Sequence, residues 1–304
     1  MLDVRRLRLL RDLARLGTIA AVAEAHTYSA SAVSQQLAAL QREAGVELLE
    51  RTGRRVTLTP AGVSLVEHAE TVLAALEAAS ATLAAARSGL RGTVRIGAFP
   101  TAMRTLLPAA LVALARDRPS LDLMVRELDP VDMPDALRDR SLDVALLHDY
   151  DLAPVAPDPT VDSEPLLDET VFLAVPAAMP GGSGGGPVAA FRDADWILGA
   201  PGTLCHTVAV RTCQAAGYTP RTRHHTDDFT AVLALVAAGL GVALVPGLGA
   251  VSPPGGVRLI PLPTTRRTRI AYRRGAGGHP AVAACVAAIR SATEDYLSAS
   301  APSS

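Results

Sequence analysis

The sequence predicts an α/β chain in two parts, and three observations carry that reading. The first sixty residues place apolar side chains at three- and four-residue spacing, broken by helix caps and closed by a short strand-turn-strand signal. A long helical stretch follows without interruption. From residue 93 onward, short β-branched runs alternate with helical runs, in a chain of 304 residues that exceeds what one hydrophobic core usually organises.

Val4, Leu7, Leu10, Leu13 and Ala14 predict a first helix ending near Gly17. Thr18 is an N-cap for a second helix carrying Ile19, Val22 and Ala23, which runs out by His26. A polar turn leads to a third helix with Val33, Leu37 and Leu40 on its inner face, closed by Gly45. Residues 48–58 read as two short strands around a Gly-Arg tip. Thr59 and Pro60 supply an N-cap and a first-position proline for a helix to about residue 87. Its residues Gly62, Val66, Ala69, Leu73, Leu76, Ser80 and Leu83 alternate spacings of four and three, a seam that predicts pairing with a second copy.

Strands are expected at 93–99, 121–128, 142–148 and 170–175, with helical segments from near Arg104, Asp132 and Pro187. Alternation of this kind predicts a largely parallel sheet with ligand sites at strand C-terminal ends. The Gly-rich stretch 180–187 reads as a surface loop, because no Lys or following Ser/Thr completes a phosphate cradle.

Composition narrows the function. All 29 basic residues are Arg and the net charge is −1, yet residues 1–58 hold nine Arg against six acids. That local excess permits a polyanionic partner. No run of eighteen apolar residues and no leader pattern occurs, so a cytoplasmic chain with no membrane partner is expected. Three cysteines without a secretory signal predict reduced thiols. The absence of a nucleophile elbow, a Walker loop or a zinc-spaced His/Glu pair argues against an enzyme.

Helix, turn, helix, basic hairpin and pairing helix in this order define a winged helix-turn-helix, with the motif itself at 18–37. Its third helix is expected in the major groove of double-stranded DNA, with paired half-sites for two copies. Ala30, Ser31, Ser34 and Gln35 share the face opposite the apolar stripe, with Thr18 and Ser29 at helix starts. Arg51, Arg54 and Arg55 on the hairpin suit phosphates or the minor groove.

Taken together these runs resemble the LysR-type transcriptional regulators. The resemblance rests on TIAAVAEA at 18–25, SASAVSQQL at 29–37, LLER at 48–51 and LTPAG at 58–62. The last two match the family's L-F-E-R and L-T-x-A-G signatures, with Leu49 in place of Phe. Ala30, Gln35 and Gln41 depart from it, where Gln, Arg and Glu are usual. GTVRIG at 92–97 and AAGLGVALVP at 237–246 extend the likeness through the C-terminal part. The resemblance implies two α/β lobes similar to periplasmic binding proteins, joined by crossovers near 161–164 and 262–266, with a small-molecule effector between them. It also implies a homodimer or homotetramer, with RNA polymerase a further partner of an activator, and no cofactor. The domains expected are 1–59 for DNA binding, 60–90 for pairing, 91–297 for effector binding (lobe I 91–161 and 266–297, lobe II 164–262) and a disordered tail at 298–304.

Strand-to-helix turns place Thr101 and Ala102 in one lobe and Thr203, Cys205 and His206 in the other, with Thr226 ending the next strand; these are the expected effector contacts. Thr101 and the amides near it would receive a carboxylate or other anion. Cys205 and Cys213 invite comparison with peroxide-sensing members of the family, but eight residues of helix separate them by about 12 Å. A disulfide needs α-carbons within about 7 Å. His224 and His225 point to opposite faces of a strand, which rules out joint metal ligation.

Overall fold

The computed structural model describes residues 1–52, 55–86, 90–180 and 186–300, with the backbone alone at 51, 52, 55 and 300. It divides into two compact units, residues 1–84 with 274–276, and residues 85–273 with 277–304.

The first unit is built by its caps. Asp3 accepts from the Arg5 and Arg6 amides to start α1 (Val4–Leu16), and Gly17, at φ 74°, ends it in the left-handed region that glycine enters without strain. Thr18 caps α2 (Ile19–Ala25) and Ser29 caps α3 (Ala30–Ala44). Leu7, Leu10, Leu13, Val22, Val33, Leu37 and Leu40 close a common core. A hairpin follows, with β1 (Leu49–Thr52) antiparallel to β2 (Arg55–Leu58). The side chain of Gln41 ties α3 to it, accepting from the Leu48 and Leu49 amides at 3.0 and 2.9 Å.

The long helix α4 (Pro60–Ala85) starts on Thr59, whose hydroxyl accepts from the Gly62 amide at 3.1 Å. Gly62 lies so close to the preceding chain that a Cβ would meet the Leu48 carbonyl oxygen at 2.2 Å. Gly62 and Ala69 are buried, whereas Leu76 and Leu83 are 45% and 68% exposed. The N-terminal half of the seam therefore packs on its own head, and the C-terminal half presents free apolar side chains.

In the second unit, β3 (Gly92–Ala98) leads to α5 (Pro100–Thr105) and α6 (Leu107–Asp117), then β4 (Leu121–Glu127), α7 (Met133–Arg138) and β5 (Val144–Tyr150). One helix was expected near Arg104. Two form, because Pro108 has no N–H with which to carry the α5 ladder onward. The chain continues through β6 (Val161–Pro176), β7 (Asp195–Leu198), α8 (Leu204–Ala215), β8 (Arg221–His225), α9 (Phe229–Ala237), β9 (Ala243–Pro246), β10 (Val257–Arg273) and α10 (Pro280–Ser300). Near Pro187, where a helix was expected, only a three-residue turn of 3₁₀ helix forms, at Ala189–Phe191. Residues 181–185 of the Gly-rich stretch and 301–304 of the tail lie outside the described residues, and 298–300 are helical.

The sheet corrects the expectation of parallel strands. Its order is β4-β3-β5-β10-β6-β9; β3 is parallel to β4 and β5, but β10 is antiparallel to β5 and β6, and β6 to β9. A parallel pair, β7-β8, forms a second sheet. β6 and β10, 16 and 17 residues long, run antiparallel to each other and join the strands of both lobes, β10 pairing with β5 and β6 with β9. Their mutual ladder breaks register between Pro261 and Thr265, within the expected crossover.

Candidate DNA-reading face and effector cleft

On α3, Ala30, Ser31 and Gln35 are exposed and Ser34 is half-buried, all on the side away from Val33, Leu37 and Leu40. Thr18 and Ser29 sit at the helix starts, where their hydroxyls accept the Ala21 and Ala32 amides, each at 3.1 Å. Those two residues position the helices, and Ser29 adds a 3.0 Å contact to the Ser31 hydroxyl. Sequence reading passed over Tyr28, 54% exposed at the mouth of α3 and stacked on His26. His26 is anchored in turn by the buried carboxylate of Asp12 at 2.7 Å. Arg54 lies outside the described residues, as do the side chains of Arg51 and Arg55; their backbones pair with Val56 and Thr52.

In the second unit, a cavity of about 310 Å³ opens between the lobes. Thr101, Thr203 and Cys205 line it; Ala102, His206 and Thr226 do not. Ala102 is fully buried on the inner side of α5. The His206 Nδ1 is taken up by the Gly199 carbonyl at 3.1 Å, and the His225 Nδ1 meets the same oxygen at 3.0 Å. Thr226 accepts from the Asp228 amide at 3.4 Å within its own turn.

The centre of the cavity is a residue the sequence reading missed. Arg266, on β10, is 1% exposed. Its Nε donates to Glu169 Oε1 at 2.7 Å, its Nη2 to the Thr101 hydroxyl at 3.0 Å, and its guanidinium stands 4.9 Å from the centre of the Phe99 ring. Burial is the largest single influence and works against that charge, but the Glu169 carboxylate, its hydrogen bond and the neighbouring Tyr150 and Cys205 together outweigh it and hold the group protonated. The signal was weak: from Leu262 to Ile270 every second residue is buried, and that face reads Leu262, Thr264, Arg266, Thr268, Ile270, with threonines on both sides of the arginine. In a chain whose every basic residue is Arg, that one arginine did not stand out.

Around Arg266 the groups are mostly neutral. His148 packs edge-on against Phe99 at 4.7 Å and Tyr150 at 5.4 Å. Burial and then Arg266 depress its pKa well below the usual value, so its imidazole stays uncharged, and its buried Nδ1 has no partner among the described residues. The Tyr150 hydroxyl lies 3.4 Å from Cys205 Sγ, and burial raises the pKa of both groups. Three carboxylates line the cavity, Glu127 and Asp129 from one lobe and Asp227 from the other. Burial and then the neighbouring Asp132 and Asp227 charges push Asp129 up, although the Val131 amide counteracts them. Asp227 accepts the Ala200 amide at 3.0 Å.

Cys205 and Cys213 are both free thiols on α8. Cys213 is fully buried, and that burial pushes its pKa up to about 11.

A helix-turn-helix head with a long pairing helix, followed by two α/β lobes around a cleft, is the architecture of a ligand-responsive regulator. Residues 4–63 match the bacterial regulatory helix-turn-helix protein, lysR family, and residues 87–294 match the LysR substrate binding domain. The chain belongs to the LysR family of transcriptional regulators. It is 30% identical over 251 residues to the transcriptional dual regulator GltC of Bacillus subtilis (strain 168), covering 81% of each chain. It is 34% identical over 311 residues to a probable hydrogen peroxide-inducible genes activator of Streptomyces viridosporus, covering 96% and 97%. Among solved structures, a cysteine mutant of Corynebacterium glutamicum OxyR superposes with a TM-score of 0.58 at 25% identity, covering 98% of this chain and 94% of that one. No helix among the described residues is long and apolar enough to cross a membrane.

Proposed function

We propose that this regulator is a cytoplasmic, non-enzymatic homo-oligomer that reads paired DNA half-sites through α3 and senses a small effector in the cleft around Arg266, with no cofactor. The observation that carries the DNA-reading half is the α3 surface itself: Ser31 and Gln35 are exposed and Ser34 half-buried, outside the apolar stripe of a helix whose both ends are capped. Small side chains at Ala30 and Ala38 let the backbone approach base edges, and Gln35 is suited to the two-point contact that adenine offers. The exposed Leu76 and Leu83 on α4 support pairing with a second copy. RNA polymerase is a further partner if the regulator activates.

The effector reading turns on charge. An anion at Thr101 was the expectation, but the Thr101 hydroxyl already accepts from Arg266, and Glu169 already neutralises Arg266. Asp129 and Asp227 add negative charge from both lobes. The cleft is therefore matched to a small polar effector that is neutral or cationic, held by Thr203, Asp227 and Asp129 and stacked on Phe99. Such a ligand relieves the repulsion between the two aspartates only when the lobes are closed, which is the differential affinity a switch requires.

The test is selection of DNA from a fragmented genome by the full chain. An enriched sequence that is lost with Gln35→Ala and Ser34→Ala, at unchanged circular dichroism, is the expected result; no enrichment by the unaltered chain overturns the reading. For the cleft, amines and neutral polar compounds are expected to raise Tm and carboxylates are not, with Asp227→Asn removing the response.

A second reading takes Cys205 as a peroxide-sensing thiol, favoured by the relatives named as hydrogen peroxide-inducible activators and by its place in the cleft. Its raised pKa works against that, since the thiolate is the reactive form. Replacing Cys205 by Ser abolishes the DNA response to peroxide if the thiol is the sensor.

A further inference from the structure

A second cavity of the α/β unit, about 370 Å³, shares only Pro130 and His148 with the cleft. That volume is within the range of small-molecule sites. Its walls are mostly apolar, formed by Pro134 and Val155 among others, with Leu204 approaching from the second lobe. At its rim Val131 and Val155 are 64% and 53% exposed, apolar side chains with nothing over them among the described residues.

Its charges are paired differently from those of the cleft: here the carboxylates are the ion-paired groups. Asp149 is ion-paired with Arg267 at 2.8 Å, and Asp158 with Arg138. Arg269 has no carboxylate within ion-pairing distance among the described residues. Its Nε donates to the Ser163 hydroxyl at 3.0 Å and its Nη2 to the Ser163 carbonyl at 3.3 Å. A guanidinium carries five N–H groups, so most of its donors are left over. The cavity is thus a hydrophobic chamber with one uncompensated cation and, at the wall it shares with the cleft, a buried imidazole nitrogen without a partner.

We infer that this chamber is a second ligand site, for an apolar monocarboxylic acid whose carboxylate meets Arg269 and whose hydrocarbon body fills the space between Val131, Val155 and Leu204. The pairing supplies what each side lacks. The acid neutralises Arg269, the cavity's cation without a carboxylate partner among the described residues, through a two-point contact of the kind guanidinium forms best, and its chain covers exposed apolar surface. The ligand class is opposite in charge to the one the cleft accommodates, so the two sites are chemically distinct. Since Leu204 opens α8, directly after the cap residue Thr203, occupancy here bears on the helix that lines the cleft.

The experiment is calorimetric titration of the full chain with octanoate, 1-octanol and octylammonium. Octanoate is expected to bind with low-millimolar affinity, the range for a ligand of about ten non-hydrogen atoms. Arg269→Gln weakens octanoate at least roughly tenfold while leaving octanol unchanged. Val155→Trp, at an exposed position that tolerates bulk, closes the chamber to both. Asp227→Asn leaves octanoate binding as it was. Absence of octanoate binding, equal binding of octylammonium, or indifference to both Arg269→Gln and Val155→Trp overturns the assignment. Octanoate binding that is lost with Thr203→Val but kept in Val155→Trp also overturns it, by locating the acid in the cleft, without touching the DNA-reading half of the proposed function.

Discussion

Arg266 and Glu169 set the electrostatics of the cleft, and removing one of them has a different consequence from removing both. Glu169→Gln leaves a guanidinium that is 1% exposed without its counter-charge, facing only a neutral amide and the Thr101 hydroxyl. An uncompensated buried charge of this kind costs about 3–5 kcal/mol. Urea denaturation of Glu169→Gln is expected to show that loss, and the double variant Glu169→Gln, Arg266→Met to recover most of it. His148 gives the pH counterpart. Its folded pKa is depressed, so its contribution to stability is complete above the unfolded value of about 6.5 and is lost as pH falls toward the folded value, where only the unfolded chain takes the proton. Tm is therefore expected to decline below about pH 6.5, and His148→Phe to flatten that decline. Cys213 works in the other direction. With its pKa raised to about 11, it keeps its contribution below about pH 9 and loses it as pH rises through 11.

Elements that carry their own punctuation were legible in the sequence; those defined by distant partners were not. Asp3, Thr18, Ser29 and Thr59 are caps whose hydrogen bonds close within three residues, so α1 to α4 can be read from short windows. The direction of β10 depends on β5 and β6, each more than eighty residues away in the chain, and no local pattern encodes it. The same limit divides the site. Thr101, Thr203 and Cys205 sit at strand-to-helix turns and were found; Arg266, His148, Asp129 and Phe229 reach the cavity by tertiary packing and were not. On α4, the seam read as one surface splits into two. Gly62 and Ala69 belong to the head's interior, and Leu76 and Leu83 remain outside it. Leu76→Glu with Leu83→Glu is accordingly expected to dissociate the oligomer in sedimentation velocity while leaving the head's unfolding unchanged. Loss of the fold instead would place those leucines in the protomer core.

Across the whole molecule charge is segregated in a way the net value hides. Residues 1–58 hold nine Arg against six acids, and the remainder holds twenty Arg against twenty-four acids. A polyanion is attracted by one end of the chain and repelled by the rest, so backbone affinity has to come from the few cations of the head. If Arg51, Arg54 and Arg55 of each of two heads neutralise a phosphate, six counterions' worth of charge is released on binding. The logarithm of the association constant should then fall with the logarithm of salt at a slope of about −5. Arg54→Gln, present twice in a dimer, is expected to make that slope shallower by about 2 and to weaken all sequences alike. Gln35→Ala should do the reverse, flattening discrimination between sequences at an unchanged slope. Fluorescence anisotropy on one selected and one scrambled duplex, over a salt series, separates the two behaviours. A slope that Arg54→Gln does not move would take the hairpin off the phosphates and leave DNA contact to α3 alone, too small a surface for stable binding by two heads.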